Sequence, residues 1–309
     1  MLAASFRYAV ALRASARVAG RRFISNSSAE ALLQPLRTHP GVSLLSLNRP
    51  QSKNAISLRL LKELTECLDE AALDNKYVPN ALVCGYHFNI NPGSSLRVLV
   101  LSSTSPGSFC AGADLIERKT MTKEQVDQFL VDLRAALSKL ENLPSPTIAA
   151  IDGPALGGGL ELALACDLRV AAHNVTKIGL PETKLGIIPG AGGTQRATRL
   201  LGLSKAKDLI FTARSLTGPE AKEWGLVDYV SDEGTSALDR ALVLAKEISQ
   251  NAPLALRSAK RAISRAPELA LEPGLDFERA VYEPLLKSKD RDEALVAFRE
   301  KRRPVFKGE

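Results

Sequence analysis

Ile151-Asp152-Gly153-Pro154-Ala155-Leu156-Gly157-Gly158-Gly159-Leu160-Glu161-Leu162-Ala163 sets three consecutive glycines between an apolar, strand-like run and a segment of helical character. A glycine triplet is costly inside a helix or strand, because glycine loses more backbone freedom on folding than any other residue. The segment therefore reads as a strand-to-helix turn. Two returns on that cost are open: backbone N–H groups that approach a ligand closely, helped by the positive end of the helix dipole, or a tight packing turn. A nucleotide loop is excluded, since neither G-x-G-x-x-G nor G-K-S/T occurs there.

Working outward, short runs rich in β-branched residues at Gly41–Leu47, Arg97–Ser102, Thr147–Asp152 and Asp167–Ala172 are bounded by Gly, Pro, Asn or Ser and predict strands. Between them, apolar residues recur three and four apart, as in Leu61, Leu64, Leu68 and Ala71, or Val126, Phe129, Leu130, Leu133 and Leu137. That spacing predicts helices, and the alternation predicts an α/β core. Beyond about Gly234 the strand signals stop. Pro253, Pro267, Pro273 and Pro284 mark boundaries near helix starts in a mainly helical C-terminal region.

The chain has 309 residues, 45% hydrophobic and 24% charged, enough for a substantial globular core. It has no apolar run of the length that spans a bilayer. Residues 1–29 carry Arg7, Arg13, Arg17, Arg21 and Arg22 with no acid before Glu30, which predicts a mitochondrial presequence, a disordered basic tail being the plainer alternative. Without those five arginines the formal charge of +7 falls to +2, so the basic balance does not point to nucleic acid. Cys67, Cys84, Cys110 and Cys166 are widely spaced, with no C-x-x-C pair and no histidine at ligand distance, so neither a zinc site nor a disulfide framework is expected.

Two further segments carry information. Ser108-Phe-Cys-Ala111-Gly112-Ala113-Asp114-Leu115 follows a predicted strand with small residues, and Gly179-Leu-Pro-Glu182-Thr-Lys-Leu-Gly186 puts a carboxylate ahead of the glycine-rich Pro189-Gly-Ala-Gly-Gly193. Alone, a loop glutamate is usually solvated. Together with the glycine triplet, and with Asn48-Arg-Pro50, Asn54-Ala-Ile-Ser57, Trp224-Gly-Leu-Val227 and the closing Phe298–Glu309, these segments resemble the crotonase (enoyl-CoA hydratase/isomerase) family. The likeness runs from about Leu36 to Glu309. It implies an α/β spiral of ββα units over residues 36–233 and a helical region, 234–309, that assembles trimers or dimers of trimers.

The resemblance also implies a site. By motif position, the N–H groups of Ala111 and Gly158 would form an oxyanion hole for the thioester oxygen, and Glu161 and Glu182 would be the catalytic pair. Glu161 is assigned chiefly to water activation and Glu182 to protonation of the α-carbon. Coenzyme A, as part of the substrate and with no separate cofactor or metal, would lie along Ala55 and the loop Ala111, Gly112, Ala113 and Asp114, with Gly158 at the thioester. Two glutamates favour a hydratase over an isomerase. The expected substrate is an enoyl-CoA in the mitochondrial matrix, either the branched, acidic methylglutaconyl thioester of leucine degradation or a short straight-chain one of fatty-acid β-oxidation.

An RNA-binding role, known in the family through a lysine-rich first helix, is the alternative from another class. The matching segment Leu58–Lys76 sets three cations against five acids, a net −2 that repels phosphate. Tyr77–Ser95 interrupts the family pattern with no charged residue and no sustained period. It reads as a peripheral coil or a translated intron rather than a functional lid.

Overall fold

The computed structural model describes residues 28–73 and 96–309, together with the backbone of two short strands, Leu82–Val83 and Tyr86–His87. The basic segment 1–27 and the rest of the insert lie outside the described residues. Inside the insert, those two strands pair antiparallel, so the expectation of plain coil is corrected there.

The chain opens with strand β1 (Ala31–Pro35) and strand β2 (Val42–Leu47), an antiparallel pair in which Ala31 faces Leu47. Helix α1 (Leu58–Leu73) buries Leu60, Leu61, Leu64, Leu68 and Ala71, the stripe that its three- and four-residue spacing predicts. After the insert strands β3 (Leu82–Val83) and β4 (Tyr86–His87) comes β5 (Val98–Ser103), then α2 (Leu115–Arg118), α3 (Lys123–Glu141) and β6 (Thr147–Ile151). Thr122 and Gln125 form a reciprocal capping box that starts α3. The glycine turn follows as β7 (Ala155–Leu156) and α4 (Gly158–Leu164), then β8 (Leu168–Ala171) and β9 (Ile178–Gly179). The remainder is α5 (Gly193–Leu201), α6 (Leu203–Phe211), β10 (Ser215–Leu216), α7 (Gly218–Trp224), β11 (Tyr229–Val230), α8 (Ala237–Ser249), α9 (Pro253–Arg265), α10 (Leu271–Tyr282) and α11 (Lys289–Arg299).

The main sheet has the order β1-β2-β5-β6-β8-β11, parallel except at the β1 edge. Its inner strands β5 and β6 are apolar almost throughout and buried on both faces, as parallel strands covered by helices must be. A second sheet, β10-β9-β7, contains only two-residue strands, and an isolated bridge from Cys110 to Ala155 ties it to the segment after β5. The four predicted strands match within a residue or two. β1 escaped the sequence reading because Gln34 and Pro35 obscure its short pattern, and pairing with β2 alone makes it a strand.

Helix α8 packs on β5, β6 and β8 through Ala237, Ala241 and Ala245, so it belongs to the core layer, and only α9 to α11 lie beyond it. The C-terminal end returns to the core: the Arg97 guanidinium donates to the Ser249 and Phe306 carbonyls. Asp290 in turn accepts from the N–H groups of Lys307 and Gly308.

The loop between β2 and α1 is tied down by Asn54, which is fully buried. Its side-chain Oδ1 accepts from the Arg49 N–H at 2.7 Å, and its side-chain Nδ2 donates to Ser103 Oγ at 2.7 Å and the Phe109 carbonyl at 2.9 Å. It also sits at φ 55°, a left-handed conformation that asparagine tolerates better than most residues. Asn54→Ala removes three hydrogen bonds and leaves the buried Phe109 carbonyl without this donor, and the expected cost is roughly 2 kcal/mol of folding stability. A urea denaturation midpoint indistinguishable from wild type would contradict this.

Candidate active site

Gly157 caps α4 at φ 52°, and a methyl group there would stand 2.8 Å from Glu182 Oε1. Gly159 is more confined, since an added methyl would lie 2.2 Å from the Cys110 carbonyl oxygen. Close approach therefore explains both glycines: one lets the Glu182 carboxyl reach the helix start, the other lets the helix press against the loop that carries residues 111–114. The two readings of the triplet, packing turn and ligand-facing turn, meet in one structure.

Glu161 lies in the first turn of α4 and is buried. Its Oε1 accepts from the Ala191 N–H at 2.8 Å and the Gly193 N–H at 2.7 Å, the latter at the start of α5. Burial raises its pKa above the usual carboxylate range, while those two N–H donors, Arg196 and Arg118 oppose the rise. Arg196 also fixes the loop itself, donating to the Ala191 carbonyl at 3.0 Å and pairing with Glu141 at 2.6 Å. The glycine-rich Pro189–Gly193 thus seats Glu161, a role that no local pattern of the sequence signals.

Glu182 begins the short 3₁₀ turn Glu182–Leu185 and is also buried. Its Oε2 has no hydrogen-bond partner. Burial, with repulsion from Glu161 as a smaller cause, pushes its pKa up to about 7. Two carboxyl groups thus share one site in unequal settings: two N–H groups and two arginines favour the Glu161 anion, whereas a single backbone hydrogen bond opposes the burial of Glu182.

The amides place differently from the sequence expectation at one position. The Ala111 N–H donates to the Lys53 carbonyl at 3.0 Å and is not available to a ligand. Ala113 instead forms a parallel bridge with Ile56, in which the Gly112 carbonyl and the Asp114 N–H face Ile56. The Ala113 N–H accordingly points the other way. No acceptor among the described residues takes it, and it lies 3.6 Å from where a methyl group on Gly158 would sit. The Gly158 N–H opens α4 and has no intrahelical acceptor.

The remaining predicted residues surround this pair of amides. Ala55 is buried next to Ile56, and its carbonyl accepts from Arg49 at 2.9 Å. Ala111 is exposed and Gly112 has φ 91°. The Asp114 side chain is already engaged, capping α2 through the N–H groups of Ile116 and Glu117 and pairing with Arg49 at 2.6 Å. Burial opposes its ionisation, but the hydrogen bond from Arg49 and the backbone donors outweigh it and hold the pKa below the usual range. Among the described residues, no cluster of His, Cys, Asp or Glu is arranged to hold a metal ion.

A two-sheet α/β spiral with two buried glutamates beside two unpaired amides defines an enzyme of the crotonase fold. The comparisons agree. The family model described as Enoyl-CoA hydratase/isomerase matches residues 88–309. A Mycosarcoma maydis protein named Enoyl-CoA isomerase/hydratase fer4 is 51% identical over 91% of this chain and 99% of its own. Human mitochondrial methylglutaconyl-CoA hydratase is 47% identical over 87% of this chain and 74% of its own. A crystal structure of enoyl-CoA hydratase from Bacillus anthracis superposes with a TM-score of 0.80 at 42% identity, covering 91% of this chain and all of that one. The chain belongs to the enoyl-CoA hydratase/isomerase family.

The RNA-binding alternative is not favoured. Both cations of α1 are held by acids one turn on, Arg59 by Glu63 at 2.7 Å and Lys62 by Glu66 at 3.9 Å. Lys76 and Asp74 of the predicted helix lie outside the described residues. No described helix is long and apolar enough to cross a membrane.

Proposed function

We propose that this protein adds water across the α,β double bond of an enoyl-CoA, with the branched, acidic 3-methylglutaconyl thioester as its substrate. The observation that carries the reading is the unequal pair of buried glutamates beside two free amides. The thioester carbonyl sits between the N–H groups of Gly158 and Ala113, the latter replacing Ala111 in this role. Enolate charge collects on that oxygen as water attacks, and donors fixed beforehand stabilise it without reorganising. Glu161 acts as its anion and takes a proton from the water whose oxygen bonds the β-carbon. Glu182, protonated near neutral pH, gives its proton to the α-carbon. The net change is hydroxyl on the β-carbon and hydrogen on the α-carbon, with one proton moved from Glu182 to Glu161 and returned through solvent.

No separate cofactor enters this scheme, since coenzyme A arrives with the substrate. It runs along Ala55 and the backbone of Ala111, Gly112, Ala113 and Asp114. The methylglutaconyl assignment draws on the mammalian relatives of that name, which are 47–48% identical. Short straight-chain enoyl-CoA of β-oxidation is the second reading, favoured by the enoyl-CoA hydratase names among the other relatives. Steady-state assay of purified protein on 3-methylglutaconyl-CoA and crotonyl-CoA separates the two, and turnover of neither would remove the hydratase reading. Mitochondrial names among the relatives, with the arginine-rich residues 1–29, support a mitochondrial location, and within it we propose the matrix.

Assembly into trimers, paired or not, is part of the same reading. Helices α9 to α11 leave Ile263 70%, Leu271 74% and Phe298 84% exposed, apolar side chains that contact with further copies of the chain would cover. Light scattering at micromolar concentration is expected to give three or six times the chain mass, and a monomer mass would count against it.

A further inference from the structure

We infer that Arg118 selects an acidic acyl chain, its guanidinium receiving the distal carboxylate of the substrate beside Glu161. The inference rests on the hydratase reading and names the substrate class within it. Arg118 ends the short helix α2, one turn beyond the loop Ala111–Asp114 that borders the free amides. Its guanidinium lies over the ring of the buried Phe129 at 5.2 Å from the centroid. Its Nε is buried with no hydrogen-bond partner, and no carboxylate among the described residues pairs with it.

The acids closest in sequence are committed elsewhere. Asp114 pairs with Arg49 at 2.6 Å, and Glu117 accepts from the Leu58 N–H at 3.0 Å. The one acid whose charge acts on Arg118 is Glu161, which already receives two N–H groups. A half-buried cation without a hydrogen-bonding anion is a costly arrangement, because burial removes water and nothing replaces it. Here burial pulls the Arg118 pKa down, against the effect of Glu161. The missing partner is an anion that comes and goes, and a guanidinium fork matches a carboxylate with two parallel N–H···O bonds.

Two parts of an acyl-CoA are anionic, the phosphates and, in some, the acyl end. Position favours the acyl end. Glu161 faces the β-carbon where water adds, and in a glutaconyl skeleton the distal carboxylate is attached one methylene beyond that carbon. The phosphates lie on the other side of the thioester. Arg118 therefore acts as the counter-charge for the acyl carboxylate, while Phe129 holds the guanidinium plane by cation–π attraction.

Glutaconyl-CoA and crotonyl-CoA differ by a single carboxylate and make the test direct. Wild-type turnover of crotonyl-CoA tests the hydratase reading alone. The inference predicts that wild type prefers glutaconyl-CoA, and that Arg118→Met lowers the ratio of kcat/KM for glutaconyl-CoA over crotonyl-CoA about a hundredfold, the loss expected for a charge-assisted hydrogen-bonded pair. Arg118→Lys should recover part of that ratio. Inhibition by free coenzyme A should be the same in Arg118→Met as in wild type. An unchanged ratio in Arg118→Met, no wild-type preference for the acidic substrate, or weakened inhibition by coenzyme A in the variant would each overturn the inference, the last by pointing to phosphate.

Discussion

Glu182→Gln is expected to fold normally and to lower kcat about a thousandfold, within the range of roughly 10²–10⁴ that a positioned acid or base contributes. Gln keeps the shape of the side chain but has no proton to give the α-carbon. The pH profile makes the prediction sharper. With Glu182 raised to about 7 by burial, the acid form needed for hydration is present below that pH and is lost as pH rises through it, so kcat should fall on the alkaline side. In Glu182→Gln that limb should vanish along with most of the rate. Glu161→Gln should cost a comparable factor by a different route, because its amide cannot accept the water proton. Wild-type rates in either variant would show that the acid–base pair has been misplaced.

Gly159→Ala is expected to harm the fold and the site together. Its methyl group would meet the Cys110 carbonyl at 2.2 Å and the Cys110 side chain at 2.8 Å, neither of which is a flexible chain end. Relief requires α4 to part from the strand bridge at Cys110, and Ala113 moves with it. A loss of about 3 kcal/mol is expected for overpacking of this kind. Turnover should fall as well, because the two amides are carried on the two sides of that contact. Gly274→Ala in α10 serves as control: its methyl has only one neighbour, at 4.0 Å, and helix propensity predicts a slight gain in stability. A melting temperature for Gly159→Ala equal to that of the control would remove the steric argument.

The large elements were legible because their signals are local. β5 and β6 are mostly apolar runs, and α1 and α3 repeat their buried residues every three or four positions. The second sheet was not legible, since a two-residue strand such as Ile178–Gly179 has no period to read. In the candidate site, Glu161, Glu182 and Gly158 stand out by motif and lie together in the structure, whereas the unpaired amide of Ala113 has no local signal. Whether Ala111 or Ala113 presents its N–H depends on the bridge to Ile56, a contact 57 positions away that no local pattern encodes. Arg118 was invisible for a related reason: in sequence it is an ordinary helix cation, and only the tertiary placement of Asp114, Glu117 and Phe129 leaves it without an anion.

The bond between Arg97 and the Phe306 carbonyl spans 209 positions. A ring that large closes late. The strand beginning one residue after Arg97 can find its neighbours β2 and β6 as soon as those segments exist, yet Arg97 gains its first acceptor, Ser249, only with α8, and its second, Phe306, only with the C-terminal end. Until then the guanidinium lacks one of its two acceptors, and so long a closure is paid for before its last contact forms. Folding of this chain should therefore run in two stages, with the sheet assembled first and sealed afterwards. Changes near residue 306 would then accelerate unfolding while leaving the rate of initial assembly almost untouched.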